Sequence, residues 1–464
     1  MRALGVLDET RMFLSLNPKR CGRALFSSCI LRAPARTSQR IRFNNGQRVG
    51  SGPIFLASVK EEKPRNGLLI LISLFLSQFT VSSPRIIIGL FLIEIAASFG
   101  SSVGVVASQI PSASSLVAMV VSLSMGAISL RFRHKWLLVL GLAIMTGSVF
   151  GCFAAPDYLA MLIFYSLVVL GGAIALPMAS TLVASHFTIR QRSHVMGLLV
   201  AGGALAVSFG ALIIARIGDW RLAFLGYVFP FALLSLFLTV TYIPSARQEQ
   251  VQGMWSAQYV EGFKAILASR SAIACLAGNI LGLAGWQAIF LYSSTFFRQQ
   301  FGVTTELASL FVFGGALCVT LGGVTSGTIV NRFGRKNLMV IVSGFLGVCV
   351  MVYMITPNLW FSTVARFVGS YLAGMMFSAS SSLQLEQLPR YRGTVMSVSA
   401  AMQSLGSALG GTIGGLVLLA YGYGVVGIVL GTLAIAGALI VLALAVDTTS
   451  VRTPRSKTTV ATKT

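Results

Sequence analysis

The sequence predicts an all-α membrane protein whose twelve transmembrane helices form two pseudo-symmetric six-helix bundles. Three observations predict it. Of the 464 residues, 55% are hydrophobic and only 10% are charged, with a mean hydropathy of +0.83, whereas a soluble domain carries roughly a quarter charged residues. The apolar intervals between charged residues have room for twelve bilayer crossings. The second half repeats glycine and basic positions of the first at offsets of 200 and 201 residues. A water-soluble enzyme is thereby excluded.

A crossing takes about 20 apolar residues. The first six uncharged intervals run over 65–85, 94–131, 135–157, 157–190, 192–216 and 221–247. After a more polar stretch they resume over 270–298, 306–332, 336–366 and 366–386. The last, 392–447, holds two crossings, with Tyr421-Gly422-Tyr423-Gly424 as the turn between them. The runs are continuously apolar, without the alternation of a barrel strand, so they read as helices. The expected organisation is a basic leader over 1–65, a first bundle over 66–243, a cytoplasmic linker over 244–269, a second bundle over 270–446 and a tail over 447–464.

The formal net charge is +23. In a soluble chain that excess would suggest nucleic acid; here it reads as basic loops against an anionic membrane surface, and no nucleic-acid partner is expected. Thirteen Lys and Arg fall in the loops after spans 2, 4, 6, 8 and 10, and only Arg216, Arg221 and Arg298 in the opposite loops. That asymmetry places both termini in the cytoplasm. Six Cys are scattered without a repeating spacing, and His134, His186 and His194 lack motif spacing. Neither a disulfide framework nor a metal site is expected.

The internal repeat is specific. Gly126, Arg131, Phe132 and Lys135 recur 201 residues later as Gly327, Arg332, Phe333 and Lys336. Arg190-x-Arg192-x-x-Val195-Met196 recurs 200 residues later as Arg390-x-Arg392-x-x-Val395-Met396. Duplicated bundles with a site at their interface are the usual build of secondary transporters.

At these residues the chain resembles the major facilitator superfamily, over about residues 66–446. The family loop between spans 2 and 3 reads Gly-x-x-x-Asp-Arg-x-Gly-Arg-Arg/Lys. The first copy here keeps Gly126, Arg131 and Lys135 but has Leu130 in place of the acid; the second keeps Gly327, Arg332, Gly334, Arg335 and Lys336, with Asn331 for Asp. Asp219-Trp220-Arg221-x-x-Phe224 resembles the family's entry to span 6. The resemblance implies a cytoplasmic gate at Gly126, Arg131, Lys135, Gly327, Asn331, Arg332 and Lys336; the residues alone also read as positive-inside anchors. It further implies an Arg in span 4 for proton coupling, but Ser166 stands at that place, and Gly202-Gly203 and Gly210 of span 5 lack the antiporter proline.

Polar residues inside spans normally face a cavity or a partner. In span 1, Gln78, Ser82, Arg85 and Gly89 share one helical line, with Pro84 placed to kink the helix. In span 7, Asn279, Gly282, Trp286 and Ser293 do the same, with Gln287 adjacent. An indole can stack on an organic solute while amides orient it; the alternative is an interface anchor or packing residue. Arg366 heads a stripe with Ser370 and Gly374 in span 10, where the family resemblance implies a structural role beside the solute-binding one. Gln403 in span 11 completes the candidate set. Gly406, Gly410 and Gly414, interleaved with Gly411 and Gly415, form small-x-x-x-small patterns for close helix packing.

Residues 1–65 hold 13 Lys or Arg against four acids. That composition fits an organelle transit peptide, a disordered tail, or an overlong start, and the missing long apolar core argues against a cleaved secretory signal. The tail over 447–464 reads as disordered. The resemblance implies a non-enzymatic secondary transporter of small organic solutes in the cell membrane, or in an organelle membrane if the leader is a transit peptide. Efflux by a monomer is the expectation, without cofactor and with protons or another ion as coupling partner. The alternatives are uptake of an organic anion through Arg85 and, from another class, a non-transporting membrane sensor.

Overall fold

The computed structural model describes residues 67–187, 189–244 and 255–446. All lie in the second of two units, Glu62–Thr464. The leader and the tail lie outside the described residues, as do Cys21 and Cys29. Among the described residues every regular element is helical.

The first half contains α1 (Gly67–Ser82), α2 (Pro84–Leu90), α3 (Leu92–Ser98), α4 (Val103–Arg131), α5 (His134–Ala154), α6 (Tyr158–His186), α7 (Ile189–Ile217), α8 (Trp220–Ala223) and α9 (Phe229–Tyr242), with a π turn, Phe224–Val228, joining the last two. A separate helix, α10 (Trp255–Ala268), occupies the linker. The second half contains α11 (Arg270–Phe290), α12 (Ser293–Phe301), α13 (Thr305–Phe333), α14 (Arg335–Ile355), α15 (Leu359–Gln387), α16 (Arg392–Tyr421) and α17 (Tyr423–Leu444). These form twelve membrane-length rods, because α1 and α2 follow one path, α8 and α9 another, and the short α3 and α12 extend the rods before them.

Eleven rods are long and apolar enough to cross a membrane. The twelfth, α15, matches them in length with 29 residues but carries six serines, Arg366 and Glu386. The duplication read from the loops extends to length: α4, α5 and α6 have 29, 21 and 29 residues, and so do α13, α14 and α15. Span 1 breaks at Ser83, before Pro84, since proline has no N–H to continue the ladder. Both span 1 and span 7 then continue as short helices, α3 and α12, on the face that carries the loops after odd-numbered spans. We call this the odd face, and its opposite the even face.

Helix starts follow local chemistry. On the odd face Ser102, Asp157, Asp219, Thr304 and Asn358 cap α4, α6, α8, α13 and α15 by accepting from backbone N–H groups of the first turn. The Tyr421–Tyr423 turn forms as the sequence indicates, with Gly422 at φ +83°, a conformation that favours glycine.

The bundles meet along two pseudo-equivalent lines, α4 against α16 and α7 against α13. Lipid tails are as apolar as leucine, so these helices associate through close packing and hydrogen bonds rather than through hydrophobic burial. The interleaved glycines of α16 divide this work. A Cβ at Gly406 or Gly410 would run into backbone oxygens of α11, and one at Gly414 into Tyr292. At Gly415 it would lie 2.6 Å from the carbonyl oxygen of Gly104 in α4. Nearby, Ser112 on α4 bonds the Thr412 hydroxyl at 2.6 Å and donates to Ala408 O at 3.1 Å. Cys152 and Cys275 are buried free thiols, and Cys318 and Cys349 are half-buried ones.

Candidate functional site

The residues singled out in the spans separate into two groups. Arg85 on α2 is exposed although it lies within a rod, and its charge acts on Tyr165 of α6, itself buried. Gln78, one turn before the proline break, is half-buried beside Gly203 of α7. Trp286 on α11 is half-buried and meets Phe377 of α15 edge to face, with centroids 5.7 Å apart; Phe290 flanks it at 6.1 Å. Gln403 is exposed on α16. Each of these four keeps part of its side chain unpacked, as a solute contact requires.

Asn279, Gln287 and Arg366 are instead enclosed in the second bundle. Asn279 Oδ1 accepts from Ser380 on α15 at 2.9 Å, and Ser380 also accepts from Gln384 at 2.9 Å. Gln287 donates to Ser407 O of α16 at 3.2 Å. Arg366 is 3% exposed and donates to Phe311 O of α13 at 2.6 Å. Gly315, one turn further along α13, leaves the space its guanidinium fills. The stripe containing Arg366 therefore faces α13, a rotation that periodicity alone leaves open.

The loops matching the family gate make contacts inside their own bundles. Lys135 donates to Val240 O at the end of α9, at 2.9 Å. Arg335 pairs with Glu386 at the end of α15. Arg131 and Arg332 are exposed, Gly126 and Lys336 are half-buried, and Gly327 has open space around it. Asn331 lies in the last turn of α13, and its side chain is outside the described residues.

Ion pairs that join the two bundles lie on the other side of the molecule. Glu94 on α3 accepts two hydrogen bonds from Arg298 on α12, at 2.5 and 3.0 Å, and Arg298 also donates to Leu90 O at 3.2 Å. Their side chains are 30% and 16% exposed. A second pair, Arg216 on α7 with Glu306 on α13, is open to solvent at 3.7 Å. Phe209 and Phe313 stack edge to face one turn or more below it, 5.8 Å apart. In the sequence Glu94 is simply the acid that bounds the second uncharged interval, and Arg298 is one of three bases in the odd-face loops. Their rarity was the available signal, since neither has a motif around it.

The comparisons with known proteins converge. The family model described as Major Facilitator Superfamily matches residues 71–359 and 299–463. The chain is 23% identical over 376 residues to the MFS-type transporter YwfA of Bacillus subtilis, covering 80% of this chain and 90% of that one. Multidrug resistance protein 3 of the same organism is 24% identical, over 66% of this chain and 71% of its own. Among solved structures, a D-xylose-proton symporter superposes with a TM-score of 0.68 at 16% identity, covering 82% of this chain and 98% of that one. The nucleoside transporter NupG gives 0.65 at 17%, covering 81% and 98%.

Proposed function

The chain belongs to the major facilitator superfamily, and from that premise we propose that it is a secondary active exporter of small organic solutes working by alternating access. A multi-span membrane protein of this family carries small molecules across the bilayer; direction, solute and coupling are the parts proposed here. The observation that carries alternating access is the pair of pseudo-equivalent bundle interfaces, tied on the odd face by Glu94–Arg298. Two similar bundles meeting along two related lines can rock about them, and the odd-face ties must break for that face to open.

Efflux rests on the half-open aromatic wall of Trp286, Phe290 and Phe377, which suits flat organic solutes, and on the relatives named for multidrug resistance. Gln78, Arg85 and Gln403 supply the polar contacts in this reading, while Asn279, Gln287 and Arg366 are packed inside the second bundle. In this reading the even face is cytoplasmic, as the loop charge asymmetry supports, with both termini inside and the cell membrane as the location. The domain division at residues 244–269 and a monomeric state belong to the same proposal, as does a coupling proton or other ion.

Exposed Arg85 favours one other reading, uptake of an organic anion. Proteoliposomes of purified protein, loaded with a panel of aromatic cations, neutral solutes and anions, separate the two. Export expects gradient-driven movement of aromatic solutes away from the even face. Accumulation of anions alone, in the opposite direction, would overturn it.

A further inference from the structure

The linker holds an amphipathic helix with an apolar side left exposed among the described residues. In α10, Gly262 and Ile266 are buried. A Cβ at Gly262 would lie 2.8 Å from Thr394 Oγ1 and 3.1 Å from the Tyr391 ring, so the helix is pressed against the start of α16. Ile266 packs with Ala272, Leu276, Val395 and Val398, and Leu123 of α4 joins that cluster from the other bundle. The Tyr391 hydroxyl donates to the Glu261 carboxylate, a bond that raises the phenol above its ordinary value. Thus α10 bridges the even-face ends of α4 and α16.

At about 100° per residue, the remaining positions fall into two further sectors. Val260, Phe263 and Leu267 lie within about 60° of one another and are 52%, 38% and 59% exposed. Lys264, Ala268 and Glu261 make the last sector, also exposed. One side meets protein, one is apolar and one is polar. A helix built this way, fixed at the membrane-facing rim of a twelve-span protein, has the form of an interfacial helix.

We propose that α10 docks on the bilayer surface, with Val260, Phe263 and Leu267 among the acyl chains and Lys264 on acidic phospholipid headgroups. Two features specify this occupant. The helix leads through the Ser269 cap straight into the membrane-length α11, whose first turn exposes Ile273 at 43%, so its apolar sector lies close in sequence to a span. The exposed bases Lys264, Arg270 and Arg390 flank it, while the local acid Glu261 is engaged by Tyr391. Three side chains offer far less than the roughly 800 Å² per partner of a stable protein contact. Docked in this way, α10 straps α4 to α16 and makes that contact responsive to lipid charge.

The test uses the full chain in nanodiscs, with the photo-crosslinker p-benzoylphenylalanine placed at Phe263, at Leu267 or at Ala268. Irradiation in phosphatidylglycerol should give phospholipid adducts by intact mass at 263 and 267 and not at 268. Lys264→Glu should lower the adduct yield at 263 about five-fold in phosphatidylglycerol, the ratio equivalent to about 1 kcal/mol per basic residue, and leave it unchanged in phosphatidylcholine. Absence of lipid adducts at both 263 and 267, equal yield at 268, or cross-linking to a second copy would overturn the docking. Insensitivity to Lys264→Glu in both lipids would overturn the headgroup contact. Because both labelled apolar positions are exposed, Leu267 reports independently if the label at Phe263 disturbs folding.

Discussion

Arg298 holds Glu94 through both of its terminal nitrogens, at 2.5 and 3.0 Å, and so joins α12 of one bundle to α3 of the other. A planar guanidinium matches a carboxylate in this bidentate way, which fixes direction as well as distance. Both side chains are mostly shielded, so this pair is less screened than the open pair Arg216–Glu306. Hydrogen bonds to charged groups contribute about 1.5–3 kcal/mol, reduced here by residual solvent contact. Glu94→Gln is expected to shift the population toward an open odd face by about ten-fold, equivalent to ~1.4 kcal/mol. Distances between spin labels on α3 and α12 measure the shift. An exchanged pair, Glu94→Arg with Arg298→Glu, should restore closure, and an unchanged distribution in Glu94→Gln would remove the latch role.

Gly104 and Gly415 sit where α4 and α16 touch backbone to backbone on the odd face. Gly415→Leu forces these helices apart, and overpacking of this kind costs about 1–3 kcal/mol. The variant should lower the thermal midpoint and leave the odd face accessible to thiol reagents in the closed form. Gly424→Leu, with open space around Gly424, is the control and should behave as the parent.

Trp286 and Phe377 make an edge-to-face pair between α11 and α15. If they form the wall against which solutes lie, Trp286→Ala should weaken binding of aromatic solutes about ten-fold in a fluorescence titration, in line with an aromatic contact of about 0.5–1.5 kcal/mol plus lost area. Aliphatic solutes should be affected less. Equal loss for both kinds would make Trp286 a packing residue.

Arg85 and Arg366 are charges within spans, and their surroundings predict opposite outcomes. Arg85→Ala should leave the thermal midpoint near the parent's while lowering flux of anionic solutes, and Arg85→Lys should retain most of it. Arg366 is enclosed and has no carboxylate partner among the described residues, so its desolvation is offset mainly by the bond to Phe311 O. Replacing even a buried ion pair with apolar side chains of similar size is often neutral or stabilising, and a lone buried charge has less attraction to lose. Arg366→Met should therefore unfold no lower than the parent, while Arg366→Ala, which leaves a void beside Gly315, should lose about 2–5 kcal/mol. Loss of solute binding with unchanged stability in Arg366→Met would instead assign Arg366 to the solute.

Much of the architecture was legible because membrane insertion is a one-dimensional constraint. A crossing needs a fixed length of apolar residues, and loop bases report the sides, so spans and turn could be read by counting. The duplication was visible in two loops and proved to extend to helix lengths. What counting leaves open is rotation. Asn279, Gln287 and Arg366 looked like Gln78 and Arg85 in their periodicity, yet they point into their own bundle, because α13, α15 and α16 approach closely where glycine and serine allow it.

The bilayer thus made span number and family readable directly from residue order, since burying the polar backbone in lipid permits so few solutions. Which polar side chains stay open, which glycines face which neighbour, and that Glu94 meets Arg298 across 204 positions of chain were decided only by tertiary packing. A contact between bundles depends on how each helix turns about its own axis, and that angle is set jointly by every helix packed against it.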